Sequence, residues 1–316
     1  MRVIRHLVRQ PERIGRVVLT LGNFDGVHLG HQAIVRRAVE RARAIGGRAV
    51  ALTFEPHPLA VLAPEQAPPI IQPLRDRLVL LRELGVETTV LQRFTRTFAA
   101  LEPEAFVRDF LLRRLELRHV VVGYNVSFGR ARAGSAATLQ ALGGALGFGV
   151  DLVGPVEVAG ERVSSTRLRE VLRAGDVAAA RRLLGRPYAL RGRVVAGDRR
   201  GRTLGFPTAN LHVRPALLLP PDGVYAVEVE VAGARRPGVL NVGVRPTFDG
   251  RRRTIEAHLL DFDGDLYRAW ALARFVERLR GERAFAGPEA LRAQIAADVE
   301  HARRVLAADR VASGGG

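Results

Sequence analysis

The segment from Gly22 to His31 has the residue types of a phosphate-binding turn. It reads GNFDGVHLGH, follows an apolar strand-like run and precedes an amphipathic helix-like stretch. A glycine-rich turn that leads into a helix presents backbone N–H groups and the positive end of the helix dipole to an anion. Gly26 and Gly30 permit close backbone approach, and the imidazoles of His28 and His31 could reach the same anion. A strand–helix turn with two incidental histidines is the alternative.

A second candidate contact for phosphate is the segment VSSTRLR at residues 163–169. The hydroxyl groups of Ser164, Ser165 and Thr166 can cap a helix whose exposed N–H groups could also meet a phosphate. Arg167 or Arg169 adds positive charge. Helix capping alone is the alternative, and the functional interpretation is favoured because the first turn is present in the same chain.

A third candidate is the glycine-rich segment GRVVAGDRRGRTLGFPTAN at residues 192–210. Its part from Gly197 to Thr203 is one residue too short for a Walker A loop and has Arg202 where that loop requires lysine. The chain contains no lysine, so its 49 basic residues are all arginine. Phosphates must therefore be held by arginine, backbone N–H groups, helix N-termini or a metal. A glycine hairpin with a polar end is the alternative.

Strand-like and helix-like segments alternate through the first half of the chain. Strands are predicted at 16–21, 48–54, 87–91, 119–122 and 150–153, and helices at 31–45, 74–84, 103–115, 136–147 and 164–184. This alternation predicts a doubly wound parallel sheet, Rossmann-like, with ligands at the carboxyl ends of the strands. The proline-rich segment 55–73 is predicted to be a long loop, which is often a functional lid.

The second half changes character after Gly185. Short strand patterns at 188–195, 225–231, 238–242, 254–260 and 269–275 are separated by glycine and proline. They predict a small antiparallel β-barrel, followed by a helix at 288–306. We therefore expect a first domain over residues 1–185, a second over 186–310 and a disordered tail at 311–316.

Composition excludes several classes of function. The chain has 47% hydrophobic and 26% charged residues and no cysteine. The absence of cysteine rules out disulfide scaffolds, thiolate catalysis and cysteine-ligated zinc. No apolar run reaches the ~18 residues of a membrane helix, and the N-terminus lacks a secretory signal pattern, so we expect no membrane partner and a cytoplasmic enzyme. An EF-hand-like start at 261–265 is followed by Leu266 and Leu272 where glycine and glutamate are required, which argues against calcium.

The net charge of +17 raises the question of a nucleic-acid partner. The arginines are spread along the chain, and few aromatic residues lie among them, so we expect a solvated basic surface and no nucleic acid. The sequence is compatible with an oligomer and does not determine one.

The motifs of the first half resemble those of the HxGH nucleotidyltransferases and, among these, the bacterial FAD synthetases. TFEPHP at 53–58, GYNVSFG at 123–129 and VSSTRLR match that family's segments, with Val126 in place of the usual phenylalanine. The resemblance implies that His28 and His31 bind ATP phosphates and stabilise the transition state of adenylyl transfer. It extends the phosphate site to Gly22, Asn23, Phe24, Asp25, Gly26, Gly30, Ser164, Ser165, Thr166, Arg167 and Arg169. It places the flavin against Pro56, His57, Asn125 and Phe128.

The segment 192–210 resembles the loop of riboflavin kinases, and GVY at 223–225, NVGVRPTF at 241–248 and EAHLLDF at 256–262 match that family in order. The resemblance implies that Thr208 and Asn210 contact Mg²⁺ and ATP phosphates, and a hydroxyl and an amide oxygen are suitable ligands for this hard cation. It makes Glu256 the general base, adds Gly201 to the phosphate loop and adds Arg245 to the flavin contacts. A solvated strand carboxylate is the alternative for Glu256.

Together the two resemblances imply a bifunctional riboflavin kinase and FMN adenylyltransferase. Riboflavin and ATP would give FMN, and FMN with a second ATP would give FAD and pyrophosphate, both steps with Mg²⁺. The first step needs a base, because an alcohol must become a nucleophile. The second does not, because the second pKa of a phosphate is ~6.

The sequence is compatible with two other hypotheses. One is an arginine-rich nucleic-acid-binding protein that retains a nucleotidyltransferase shell. The other is a different adenylyltransferase, such as a pantetheine-phosphate or nicotinate-mononucleotide enzyme. The PTAN segment and Glu256 argue against the latter, because such enzymes have no need of a flavokinase barrel.

The kinase half departs from the pattern of the riboflavin kinases at one position, where the DLYG of that family reads DLYR at 265–268.

Overall fold

The structure is a computed structural model that describes residues 1–7, 13–196, 205–247 and 250–314, without the side chains of 245–247, 250–252 and 312–314. The chain divides into two compact units, Met1–Ser165 and Thr166–Gly316. The two helices between Ser165 and Gly185, which we predicted to close the first domain, cluster with the second unit. No helix in the described ranges is long and apolar enough to cross a bilayer.

The first unit is built on a six-stranded sheet in which every neighbouring pair of strands is parallel. The strands are β1 Arg2–Arg5, β2 Ile14–Leu21, β3 Arg48–Glu55, β4 Thr88–Arg93, β5 Leu115–Gly123 and β6 Gly149–Val153. Their order across the sheet is β1-β4-β3-β2-β5-β6. The predicted parallel sheet is confirmed, with a first strand that the sequence patterns did not indicate.

Helices cover both faces of this sheet. They are α1 Leu29–Ala44, α2 Pro58–Leu62, α3 Leu74–Glu83, α4 Arg96–Ala99, α5 Pro103–Ala105 with a π-helical continuation Phe106–Leu112, and α6 Ala136–Leu146. Adjacent residues of a strand enter opposite cores: Leu19 belongs to one cluster and Val18 to the other. Burial on both faces explains why these strands read as continuous apolar runs. A small hairpin, β7 Glu157–Val158 and β8 Glu161–Arg162, precedes the end of the unit.

The second unit contains a closed antiparallel barrel. Its strands are β9 Ala189–Val195, β10 Ala209–His212, β11 Gly223–Val231, β12 Ala234–Thr247, β13 Gly250–Leu259 and β14 Trp270–Gly281. They close in the order β10-β13-β12-β11-β14-β9, and β10 pairs with β9. The predicted barrel is confirmed, although β10 was not among the predicted strands.

The predicted helix at 164–184 is divided in two, α7 Ser165–Ala174 and α8 Val177–Leu184. Gly175 between them has φ +82°, which is outside the helical region and favours glycine. The Asp176 carboxylate then caps α8 by accepting from the Ala179 N–H at 2.7 Å.

The last helix corrects our expectation for the end of the chain. We predicted a helix that ends at Leu306 and a disordered tail at 311–316. The helix, α9, spans Pro288–Gly314, so residues 311–314 are helical, and residues 315 and 316 lie outside the described ranges. Its Val299, Ala302 and Leu306 pack on the outside of the barrel.

Candidate functional site

The first group of motif residues lies at the carboxyl edge of the parallel sheet. Strands β2, β3 and β5 are neighbours that end at Leu21, Glu55 and Gly123. The turn that begins at Gly22, the Pro56–His57 segment and Asn125 follow these three strand ends directly. Parallel strands end at one edge, so segments far apart in sequence meet there.

The two histidines of the turn are held by the start of α1. The His28 Nδ1 atom accepts from the His31 N–H at 3.3 Å and caps the helix. The two imidazole rings stack with centroids 3.7 Å apart, and the Phe24 ring packs edge-on against His31 at 5.4 Å. A side chain at Gly30 would lie 3.2 Å from the His28 ring, so glycine leaves room for this arrangement. Both imidazoles thus lie together where the turn meets the start of α1.

Asp25 holds neighbouring segments to the turn. Its buried carboxylate accepts from the backbone N–H groups of Ile71 and Gln72 at 3.0–3.1 Å. The Ser165 hydroxyl donates to the Asp25 carbonyl oxygen at 3.1 Å. The end of the proline-rich segment and the start of α7 are therefore attached to the turn. That segment was predicted to be a loop throughout, but it contains the short helix α2. Asp25 was predicted to bind phosphate, and the hydrogen bonds named here attach two other segments of the chain to the turn.

The serine-rich motif straddles the division between the units. Ser164 and Ser165 belong to the first unit, and Thr166, Arg167 and Arg169 to the second. Arg167 forms an ion pair with Glu170 at 3.2 Å, and Arg169 is 8% exposed. The structure thus brings Ser165 to the turn by a direct hydrogen bond within the first unit.

The predicted flavin residues occupy different environments. The His57 Nε2 atom lies 3.3 Å from the Asn23 side-chain amide, and its Nδ1 accepts from the Leu59 N–H at 3.2 Å. Asn125 and Pro56 are exposed at the sheet edge. Phe128 is 7% exposed and packs on Phe106 with ring centroids 5.6 Å apart. Val126, which replaces a phenylalanine of the family pattern, packs against the same core.

The second group of motif residues forms a row across three barrel strands. Glu256 on β13 lies opposite Asn210 on β10 and opposite Asn241 on β12. The Thr208 hydroxyl donates to the Glu256 carboxylate at 3.4 Å. His258 bonds the carbonyl oxygen of Pro207 through Nδ1 at 2.8 Å, which holds the PTAN segment against β13. Two predicted contacts cannot be placed: Gly201 and the side chain of Arg245 lie outside the described part of the chain.

Tyr225 of the GVY segment is fully buried in the barrel. The Tyr225 hydroxyl donates to the Pro221 carbonyl oxygen at 2.6 Å, and its ring packs on Phe275 with centroids 5.2 Å apart. Burial raises the pKa of Tyr225 against the opposing effect of Arg278 and Arg253. Tyr225 therefore stays a neutral hydrogen-bond donor that positions the GVY segment.

The structure also describes two sequence features that lie outside the sites, Arg268 and the EF-hand-like segment at Asp261. Arg268, where the family pattern has glycine, has φ +66°, a left-handed backbone conformation that favours glycine. Asp261, at the start of the EF-hand-like segment, is paired with Arg303 at 2.6 Å. Within the described ranges, no group of three or more histidine and carboxylate side chains could hold a metal.

Comparison with known proteins gives matches to both halves of the chain. Residues 10–167 match the FAD synthetase family and residues 184–306 match the riboflavin kinase family. The chain is 42% identical over 306 residues to the bifunctional riboflavin kinase/FMN adenylyltransferase of Escherichia coli strain K12, covering 96% of this chain and 97% of that protein. It is 37% identical to the Bacillus subtilis protein of the same name, with 95% of each chain covered. The chain belongs to the bifunctional riboflavin kinase/FMN adenylyltransferase family.

A solved structure has the same fold over almost the whole chain. A protein from Streptococcus pneumoniae named a macrolide-efflux protein superposes with a TM-score of 0.87 at 32% identity, covering 96% of this chain and 99% of that one. The presence of FAD synthetase and riboflavin kinase domains in one chain confirms the predicted bifunctional enzyme of FMN and FAD biosynthesis. It also decides against the other adenylyltransferases.

Sequence reasoning missed Arg77 in the FAD synthetase domain. Its buried guanidinium donates to the Asn23 carbonyl oxygen at 2.6 Å and to the Glu55 carboxylate at 3.1 Å. The Thr53 hydroxyl donates to the same Asn23 oxygen at 3.3 Å. Arg77 thus joins the phosphate-binding turn to the end of β3, from which the flavin motif begins. An arginine within the apolar helical pattern of 74–84 gave no signal in the sequence, because only the fold brings α3 to these strand ends.

We predict that Arg77→Met lowers the rate of FMN adenylylation by about tenfold or more, because small displacements of positioned groups cost that much or more. The rate of riboflavin phosphorylation, which the other domain catalyses, should not change and is the internal control. Arg77→Lys should recover part of the rate, and Arg82→Met, an exposed arginine of the same helix, should have no effect. Thermal melts check folding, since an unpaired Glu55 destabilises the domain. Wild-type FAD synthesis by folded Arg77→Met would refute the positioning role.

Proposed function

We propose that the enzyme adenylylates FMN at the turn Gly22–His31 and phosphorylates riboflavin beside Glu256. The observation that carries the first assignment is the pair of stacked imidazoles, His28 and His31, at the N-terminus of α1. The second rests on the row of oxygen-bearing side chains around Glu256. The histidine pair belongs to the first unit and the row around Glu256 to the second, so the two reactions have separate central groups.

In the adenylyl transfer, an FMN phosphate oxygen forms a bond to the α-phosphorus of ATP as the bond to the bridging oxygen breaks and pyrophosphate leaves. The nucleophile is already ionised near neutral pH, so the site needs no strong base. His28, His31 and the N–H groups at the start of α1 stabilise the charge that develops on the phosphates. Ser164 and Ser165 supply hydroxyl groups from the adjoining turn, and Thr166, Arg167 and Arg169 continue the family motif along α7.

In the kinase reaction, the ribityl 5′-hydroxyl of riboflavin loses its proton to the Glu256 carboxylate. The oxygen forms a bond to the γ-phosphorus of ATP, the bond to the bridging oxygen breaks and ADP leaves. The Thr208 hydroxyl, bonded to Glu256 at 3.4 Å, orients the base. Gly201 and Arg245 are proposed contacts of the ATP phosphates and the flavin.

The residues at the kinase site fit Mg²⁺. The Thr208 hydroxyl, the Asn210 amide and the Glu256 carboxylate supply hard oxygen donors on adjoining segments, and this cation prefers such ligands together with substrate phosphates. We propose that Thr208 and Asn210 hold it. When bound, Mg²⁺ neutralises negative charge on the ATP phosphates.

For the flavin of the adenylylation step, His57 and Asn125 are the best placed of the proposed contacts. His57 touches the turn through Asn23, and Asn125 is exposed at the end of the neighbouring strand. Pro56 fixes the backbone before His57. The buried Phe128 would act as a wall behind these contacts. Because both reactions consume ATP, we also propose that the enzyme works in the cytoplasm.

Chromatography of the products from riboflavin, ATP and Mg²⁺ tests this function. We expect FMN to accumulate first and FAD to follow, with pyrophosphate released in the second step. Excess EDTA should stop both steps. Unchanged riboflavin in the presence of Mg²⁺ would refute the proposal, and turnover that continues in EDTA would refute the role of the cation.

A further inference from the structure

A pocket lined by arginines lies in the first unit, at the opposite edge of the sheet from the phosphate-binding turn. Its volume is about 420 Å³, and half of its lining residues are arginine: Arg2, Arg13, Arg16 and Arg48. The described lining contains no acidic residue. A volume of this size is within the range of small-molecule sites.

The topology of the sheet explains why these arginines converge. Strands β1 and β3 start at Arg2 and Arg48, and β2 starts at Ile14, between Arg13 and Arg16. Parallel strands all begin at the same edge, so residues from separate parts of the sequence meet there. β2 has eight residues and ends at the phosphate-binding turn, which puts the two edges roughly 25 Å apart. The pocket is therefore distinct from the adenylylation site.

The backbone at Arg16 is distorted where it lines the pocket. Arg16 has φ +45°, the left-handed conformation, and the pairing of β2 with β5 shifts register between Ile14 and Val17. Such bulges re-aim side chains and are common beside functional sites. Across the pocket, a side chain at Gly47 would lie 2.4 Å from the Arg16 carbonyl oxygen, so only glycine permits this close approach.

The positive charge of the pocket is only partly neutralised within the described part of the chain. None of the four arginines forms an ion pair there, and Arg13 donates to the carbonyl oxygens of Leu112 and Leu115 at 2.9 and 3.1 Å. The nearby Glu116 is held by Arg118 and by the backbone N–H of Arg16, and these bonds, together with the charges of both arginines, lower the pKa of its carboxyl. One carboxylate shared with Arg118 balances only a small part of the four positive charges. The carboxyl end of α1 adds only about half a negative charge.

We propose that this pocket binds an anion that carries at least two phosphoryl groups. Guanidinium groups bind phosphate oxygens in a bidentate manner, and four of them around one pocket exceed what a single phosphate can neutralise. Four species of the reactions have this chemistry: ATP, ADP, FAD and inorganic pyrophosphate. Pyrophosphate, which adenylyl transfer releases, represents the free inorganic anion, and ATP represents the nucleotides. The proposal concerns binding at the amino edge of the sheet and does not depend on the assignment of the catalytic residues.

Isothermal titration calorimetry with inorganic pyrophosphate, on the full chain in Mg²⁺-free buffer, tests the proposal. The pocket variant is Arg16→Gln/Arg48→Gln. The control is Arg182→Gln/Arg292→Gln, which removes the same charge from exposed helical arginines of the other unit that form no ion pair with any described residue. Binding at the catalytic sites is common to all three proteins. We expect the wild type and the control to show an additional site that the pocket variant lacks or binds roughly tenfold or more weakly.

A second titration with ATP identifies the source of the phosphates. If the pocket variant loses affinity mainly for pyrophosphate, the ligand is the inorganic product, and if it loses affinity mainly for ATP, the ligand is the nucleotide. Both catalytic rates should stay at the wild-type level in the pocket variant, and Arg48→Gln alone replaces it if the double variant does not fold. Identical isotherms for both ligands in the wild type and the pocket variant would overturn the proposal.

Discussion

Glu256→Gln is expected to abolish the phosphorylation of riboflavin while the conversion of FMN to FAD continues at the wild-type rate. An amide cannot accept the proton of the 5′-hydroxyl, and loss of a general base lowers a rate by about 10²–10⁴-fold. Glutamine keeps the size of the side chain and can still accept the hydrogen bond from Thr208. The measurement is the initial rate of each half-reaction, with riboflavin or FMN as the starting flavin.

Glu277→Gln is the matched control for this variant. Glu277 is an exposed strand carboxylate of the same barrel, on β14, so its loss changes the charge of the domain without touching the row around Glu256. We expect both of its rates to equal those of the wild type. If Glu256→Gln slowed both half-reactions equally, the assignment of separate sites would be wrong.

His28→Ala combined with His31→Ala is expected to have the opposite pattern. FAD synthesis should fall by about 10²–10³-fold, because the site loses groups that stabilise charge on the reacting phosphates. Riboflavin phosphorylation should be unchanged, so that FMN accumulates. The rates of both steps, measured by chromatography of the flavins, check this prediction.

The buried position of His28 requires a control for folding. Its Nδ1 atom caps α1, and loss of such a cap costs ~1 kcal/mol. His28→Asn keeps a capping acceptor without the imidazole and should lose FAD synthesis with a smaller change in the melting temperature. His301→Ala, a half-exposed histidine of α9, should leave both rates intact. FAD synthesis at the normal rate in the double variant would refute the role of the histidines.

The sequence was sufficient for the fold class because its local signals are strong. Continuous apolar runs indicate strands buried on two faces, and the strands of the barrel are separated by glycine and proline turns. The sequence did not predict the elements whose formation depends on tertiary contacts or on a single backbone conformation. β10 is only four residues long and is held by pairing with β9 and β13, which no local pattern encodes. The break at Gly175 depends on a single backbone conformation within an otherwise helical pattern.

The candidate sites likewise contain residues that the local sequence indicates and residues that only the fold brings together. The turn Gly22–His31 was predictable because its glycines and histidines lie close together in sequence. Arg77 was not, because it reaches Asn23 and Glu55 only through the packing of α3 against the strand ends. The pocket at the amino edge was also not predictable. It depends on the parallel alignment of three strands and on the bulge at Arg16, whereas in the sequence its arginines are indistinguishable from the many others.

A mixing experiment tests most directly whether the two activities occupy independent sites. Folded Glu256→Gln supplies only the adenylylation site, and folded His28→Ala/His31→Ala supplies only the kinase site. Neither protein alone should make FAD from riboflavin, whereas an equimolar mixture with ATP and Mg²⁺ should make it through FMN released into solution. A mixture that yields no FAD, although each variant retains its own half-reaction, would contradict this account.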